Sequence, residues 1–157
     1  SIKNLSHLPQ PTVVYQLPKN ALNGSMFFVT DSLVVVCDSH CRLFILDTNN
    51  STWKLLHEED LDELSTSPIR LLQAIIYEGC LHAIVGFIKA ECHFLWVTFS
   101  IGASNEIKLS RRRILIGKIW PDFIAIESNG QGICIAADAS YRFTFDSLIE
   151  VIHIREQ

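Results

Sequence analysis

Short apolar or alternating runs recur along this chain, and polar turn residues cut them into groups of four. In the first group, Met26 to Thr30, Leu33 to Cys37, Cys41 to Asp47 and Thr52 to His57 are parted at Asp31-Ser32, at Asp38 to His40 and at Asn49 to Ser51. In the second, Ile69 to Tyr77, Cys80 to Phe87, His93 to Ser100 and Ile107 to Leu115 break at Glu78-Gly79, at Lys89 to Glu91 and at Gly102 to Asn105. The third repeats the scheme with Phe123 to Glu127, Gly132 to Ala137, Tyr141 to Phe145 and Leu148 to Ile154, its first turn at Ser128 to Gln131. Period-two alternation with Gly, Asn and Asp punctuation predicts strands throughout, since successive side chains of a strand point to opposite faces.

Group starts lie roughly 45 to 50 residues apart, and four antiparallel strands at that period are the mark of propeller blades of the WD40 and kelch classes. The fold expected is therefore all-β, a partial β-propeller of about three four-stranded, antiparallel, WD40-like blades, with a β-sandwich as the alternative. Residues 1–22 read as a lead-in, 23–66, 67–116 and 117–157 as blades, all within one structural domain. Within the lead-in, Thr12 to Leu17 is an additional strand flanked by Pro9, Pro11 and Pro18, as in the outer strand of a neighbouring blade. Glu58 to Leu64, part of the connection from Glu58 to Pro68, reads as a solvated loop with room for one helical turn. Rings close with about four to eight blades, so three leave the ring incomplete.

Composition strengthens the strand reading. Of 157 residues, 48% are hydrophobic and only 19% charged, enough apolar material for a packed core; the nine Phe and many branched side chains suit a pleated surface. A net charge of −4 argues against nucleic acid or an anionic membrane as principal partner. No membrane span is expected, because Arg70, Gln73, Glu78, His82, Lys89, Glu91 and His93 interrupt the most apolar region. Five cysteines (Cys37, Cys41, Cys80, Cys92, Cys134) are an odd count without a dense framework, which suits a reducing compartment, cytoplasmic and also nuclear. Asn4, Asn23, Asn49 and Asn50 match the short glycosylation pattern and weigh against that location.

Candidate chemistry is sparse, and the chain is expected to be no enzyme, with no catalytic, cofactor or metal residues. Cys37-Asp38-Ser39-His40-Cys41 gathers zinc-type ligands, but only three can converge and no second pair has matching spacing, so an ordinary hairpin turn is expected. Cys80 and His82 sit at the open end of their hairpin and Cys92 and His93 beside its turn, too far apart to share an ion. No nucleophile elbow or phosphate loop is present; Gly130 and Gly132 mark a β-turn. Acids cluster only at Glu58 to Glu63, with no apolar pocket. The basic cluster Arg111-Arg112-Arg113, with Lys108 and Lys118, lies on a predicted strand, where alternation sets Arg111 and Arg113 on one face and Arg112 on the other. Lys108, Arg111, Arg113 and Lys118 form the candidate surface patch, read foremost as charge protecting an outer edge. Nucleic-acid binding through Arg111 to Arg113 is the alternative function. Trp53, Trp96 and Trp120 are expected in packing.

Three segments, Leu95-Trp96-Val97-Thr98, then Arg113-Ile114-Leu115 with Gly117-Lys118, then Ala125-Ile126-Glu127 with Gly130 and Gly132, resemble in order and spacing the NudC domain-containing protein 1 family. Weaker points of likeness are Leu17-Pro18, Asp38 with Arg42-Leu43-Phe44, and Trp53; the resemblance covers roughly residues 12–146, and the Lys89 to Glu91 loop is shorter than the family's. In that family a CS domain is accompanied by propeller-like sequence on both sides. The resemblance implies a protein–protein interaction module in a co-chaperone: Hsp90 contacted through a CS domain lying beyond this chain, propeller-containing clients as partners, and a C-terminal propeller segment of the same protein completing the ring.

Overall fold

The computed structural model describes residues 16–60, 69–104, 106–117, 119–127, 129–135, 140–144 and 153–156. Twelve strands and no helix occur among them: β1 (Ala21–Phe28), β2 (Leu33–Asp38), β3 (Arg42–Asp47), β4 (Thr52–Glu58), β5 (Ile69–Tyr77), β6 (Cys80–Lys89), β7 (Glu91–Ile101), β8 (Ile107–Gly117), β9 (Phe123–Ile126), β10 (Gln131–Ile135), β11 (Ser140–Thr144) and β12 (His153–Glu156). They form three antiparallel sheets in chain order, β1-β2-β3-β4, β5-β6-β7-β8 with β12 added outside β8, and β9-β10-β11.

The sheets stack face to face. Leu81, Ala83, Val85 and Phe87 of β6 and Leu95, Val97 and Phe99 of β7 meet Val35, Cys37, Leu43 and Ile45 of the first sheet. From the opposite face of the middle sheet, Leu72, Ile84, Phe94, Trp96 and Leu115 meet Ile124 and Ile126 of the third. A sheet covered on both faces explains why β6 and β7 read as near-continuous apolar runs. The first strands adjoin one another, β1 against β5 and β5 against β9. This arrangement fits a partial propeller or a sandwich, and among the described residues no strand closes the third sheet onto the first.

The seam between innermost strands is polar at one point. Register shifts in β1 between Ala21 and Met26, and in β5 between Leu71 and Gln73, mark bulges. There, fully buried Ser25 accepts the Leu71 backbone N–H through Oγ at 3.1 Å. Ser25→Ala strands that N–H away from water, and a loss of about 1–2 kcal/mol is expected in the unfolding free energy from urea titration. The third sheet is seated by Gly130, whose φ of +83° turns β9 into β10 and whose missing side chain admits the Tyr77 ring; a Cβ would stand 2.8 Å from it. Gly130→Ala combines left-handed strain with that clash and should cost about 1–3 kcal/mol by the same assay.

Three placements differ from the sequence reading. β1 begins at Ala21, ahead of the expected start at Met26, and its pairing with β2 is irregular between those two residues. The strand expected at 148–154 as fourth member of the third sheet is observed only as β12, which pairs with Leu115 to Gly117 of β8 instead; residues 145–152 lie outside those described. The predicted strand at 12–17 falls mostly on undescribed residues, and Gln16 and Leu17 are not in a strand. The possible helical turn at 58–64 also falls mostly outside the description; its first residue, Glu58, ends β4.

Candidate functional site

The basic cluster occupies the outer strand of the middle sheet, where side chains leave the core. Toward Ile116 the strand is buried, whereas Lys108 to Arg112 are exposed. Strict alternation would set Lys108 beside Arg112. A bulge prevents this: Leu109 pairs with Phe99 and Arg111 with Thr98, leaving Ser110 as the extra residue, its hydroxyl donating to the Thr98 carbonyl at 3.0 Å. Opposite residues of an antiparallel pair share a face, so Lys108, Arg111 and Arg113 fall on the side of Ser100, Thr98 and Trp96, and Leu109, Arg112 and Ile114 on the side of Phe99, Val97 and Leu95. Lys118 lies outside the described residues.

These cations have distinct surroundings. Arg112 crosses to the first sheet, donating from Nε to both carboxylate oxygens of Glu59 at 2.9 and 3.0 Å and from Nη2 to Oε1. Glu59 is buried, follows β4, and also meets His57 Nε2 at 2.7 Å while its backbone N–H donates to the Cys41 carbonyl. Burial pushes the Glu59 carboxyl up, but the Arg112 and His57 hydrogen bonds outweigh it, leaving the pKa below the ordinary value. This bidentate pair ties two sheets together and was not anticipated; its partners are far apart in sequence. Arg113 lies over the Trp96 ring, 5.7 Å from its centroid. Lys108 faces Glu106 at 3.5 Å with both ends well exposed, and Arg111 is exposed.

Beneath Arg113 a polar line crosses the middle sheet. Trp96 Nε1 donates to His82 Nδ1 at 3.1 Å, and Thr98 Oγ1 lies 3.2 Å from the same nitrogen. Burial lowers the His82 pKa, partly offset by the Tyr77 carbonyl, which keeps the ring neutral and Nδ1 an acceptor. The Cys37 to Cys41 segment is a hairpin turn with Cys41 at φ 56°. Its Asp38 carboxylate accepts from the backbone of His40 and Arg42 at 3.0 and 2.9 Å and from Arg42 Nε at 2.7 Å. Cys37 and Cys41 are buried against each other, which pushes the Cys37 thiol far up and keeps it protonated. Cys80 pairs opposite Ser100, remote from Cys92 along the same ladder.

Each end of the stack presents an apolar sheet face. On the first sheet, Val34, Val36 and Leu46 share a face with exposed Met26, Phe28 and Leu55, and Trp53 donates its indole N–H to the Gln16 carbonyl at 2.7 Å. Phe28, at 71% exposure, is the most exposed large hydrophobic residue among those described. On the third sheet an open groove of about 940 Å³ is lined by Phe123, Ile133, Ile135, Glu127, Arg142 and Thr144, among others, and its three large apolar residues are all exposed.

No family model matches the sequence, and no solved structure matches the fold. Among curated proteins, the chain is similar to NudC domain-containing protein 1 of Mus musculus, 25% identical over 86% of this chain and 27% of that protein. The chain thus spans about a quarter of the length of this relative. The match takes in most of this chain, and this weak likeness supports a distant relationship to the NudC domain-containing protein 1 family.

Proposed function

We propose that this chain is a non-catalytic protein–protein interaction module, three blades of a split β-propeller in a NudC-like co-chaperone of the cytoplasm and nucleus. The observation that carries the reading is the pair of apolar sheet faces at the two ends of the stack, Met26, Phe28 and Leu55 on one and Phe123, Ile133 and Ile135 on the other. Blades of a propeller bury such faces against neighbouring blades, and exposed apolar surface of this kind is an interaction site in a soluble assembly. A C-terminal propeller segment of the same protein is the occupant that completes the ring. Hsp90 contact belongs to a CS domain and to no residue of this chain, whereas propeller-containing clients are recruited through the blades.

The test is a pull-down with the full-length protein and with a form lacking residues 1–157. Hsp90 should be retained by both and propeller-containing clients lost with the deletion; clients retained in full by the deleted form would overturn the reading. The competing nucleic-acid reading draws on Arg111 to Arg113, but Arg112 is engaged by Glu59 and Arg113 covers Trp96, which leaves little cation free to track a phosphate backbone.

A further inference from the structure

We propose that Cys37 and Cys41 form a reversible dithiol–disulfide site at the β2–β3 turn, and that closing the disulfide loosens the tie between the first and middle sheets. The two thiols meet inside the protein. Both residues are fully buried in the core cluster shared by those sheets. The Cys37 thiol donates to the Asp38 carbonyl at 3.5 Å and shares a hydrogen bond with the Cys41 thiol. Only Ser39, His40 and Cys41 separate β2 from β3, so the pair lies within one hairpin.

Turn chemistry does not call for a cysteine here. The β9–β10 turn is built the same way: the Gly130 N–H donates to the Glu127 carbonyl as the Cys41 N–H donates to the Asp38 carbonyl, and each residue stands at positive φ just before the returning strand. Three-residue hairpin loops of this kind take glycine at that place, where a Cβ is strained. Gly130 follows the rule and Cys41, at φ 56°, breaks it. The other described non-glycine residues at positive φ (Asn20, Ser51, Glu78 and Ala90) are exposed, whereas Cys41 is fully buried. Strain kept at a buried thiol points to a use for that thiol. Valine at 37 and glycine at 41 would serve the core and the turn; two thiols in contact add two-electron chemistry.

With the hairpin closed, the Cys41 hydrogen bond and burial keep the Cys37 thiol protonated and unreactive. Oxidation therefore waits on local opening of the turn, whose tip residues Ser39 and His40 are exposed. The oxidant is a small disulfide of the oxidised-glutathione class. In the opened turn the Cys41 thiol loses its proton to solvent and attacks one sulfur of that disulfide, releasing one thiolate; the Cys37 thiol then loses its proton, attacks the Cys41 sulfur of the mixed disulfide and releases the second. Both protons end on the released thiols, so two cysteine thiols are oxidised and one small disulfide is reduced to two thiols. Joining the sulfurs draws Cys41 toward Cys37. The Cys41 carbonyl accepts the Glu59 backbone N–H at 3.2 Å, and the Glu59 carboxylate holds Arg112 of β8, so this movement pulls on the tie between the sheets.

The test equilibrates the native 157-residue chain, without oxygen, in buffers running from reduced to oxidised glutathione, followed by acid quench, alkylation of free thiols and peptide mass spectrometry. The expected result is an internal Cys37–Cys41 disulfide, lighter by two hydrogens and resistant to alkylation, that appears in a single transition and is reversed by excess reduced glutathione. Amide exchange read by NMR should show the Glu59 N–H exchanging about tenfold faster in the oxidised protein. Cys41→Gly suits the backbone, so this variant should fold, form no internal disulfide and keep its Glu59 exchange rate across the same buffers; Cys37→Val, next to a run of valines, should behave alike. A pair that stays alkylatable throughout, glutathione carried separately on Cys37 or Cys41 at equilibrium, a disulfide formed in urea but not in native buffer, or unchanged Glu59 exchange on oxidation would each overturn the proposal.

Discussion

Replacing Phe94 by alanine is expected to destabilise the protein by about 3–5 kcal/mol and to loosen the third sheet before the first. Phe94 is fully buried on the face of β7 turned toward β9, and Trp120 stacks on it at 6.2 Å with 25° between planes. Trp120 also lies over Gly86, where a Cβ would come within 2.9 Å of the indole. Truncation thus opens a cavity where the connection between the second and third sheets is anchored. Phe99→Ala removes the same volume from the opposite face of β7, against the first sheet. Hydrogen exchange should show protection lost at 123–135 in the Phe94 variant and at 33–47 in the Phe99 variant. Identical exchange patterns would mean that the two faces are not separate interblade seams.

The second large effect is expected at Arg112. Arg112→Leu leaves the Glu59 carboxylate, at 8% exposure, without its bidentate partner, at a cost of about 1.5–3 kcal/mol near neutrality. The figure sits below that of a fully buried ion pair because the Arg112 side chain is 43% exposed and water can reach the carboxylate once it is removed. The pH dependence has a definite sign. In the native protein the folded Glu59 pKa lies below its ordinary value, so the stabilisation is complete above about pH 4.5 and is lost as pH falls through the folded pKa. Without Arg112 one of the two groups that hold the folded pKa down is gone, so the variant gains less stability than the native protein as pH rises from 4 to 7. Urea unfolding at pH 7 and pH 4 should show a wide gap between native protein and variant at the first and a narrower one at the second. A gap independent of pH would place the cost in lost packing and not in the ion pair.

The middle sheet was legible from periodicity alone. Ile69–Tyr77 is the predicted strand residue for residue, and Cys80, Ile107 and Phe123 begin strands where expected. These segments are flanked by tight turns with Gly79 and Gly130 at positive φ, so local chemistry and tertiary packing agree. Legibility failed where the deciding contact was distant. The first strand was expected to start at Met26, and its earlier residues from Ala21 pair with β2 only across an irregular register that alternation does not reveal. The strand near the C-terminus was recognisable as extended, whereas its choice of β8 over β11 depends on which edge lies nearest in space.

At the candidate surface, the separation of Arg111 and Arg113 from Arg112 followed from the pleat. Lys108 joins the first pair only through the Ser110 bulge, for which the sequence Leu109-Ser110-Arg111 carries no distinguishing mark. Glu59 stood in an acidic run with every sign of a solvated loop, and only the packing of the first sheet against β8 gives it a buried position and a partner. The apolar end faces were foreshadowed by the blade count, since three blades cannot close a ring, but alternation alone could not say which alternate residues would be covered by a neighbouring sheet.

Sedimentation velocity of the 157-residue chain across a wide concentration range tests the split-propeller account most directly. The account predicts a weight-average mass that rises above 17.8 kDa with concentration, binding of a hydrophobic dye, and a return toward the monomer mass when Phe28 and Ile133 are both changed to Glu. A chain that remains a 17.8 kDa monomer throughout, binds no dye and is unaffected by those substitutions would contradict it.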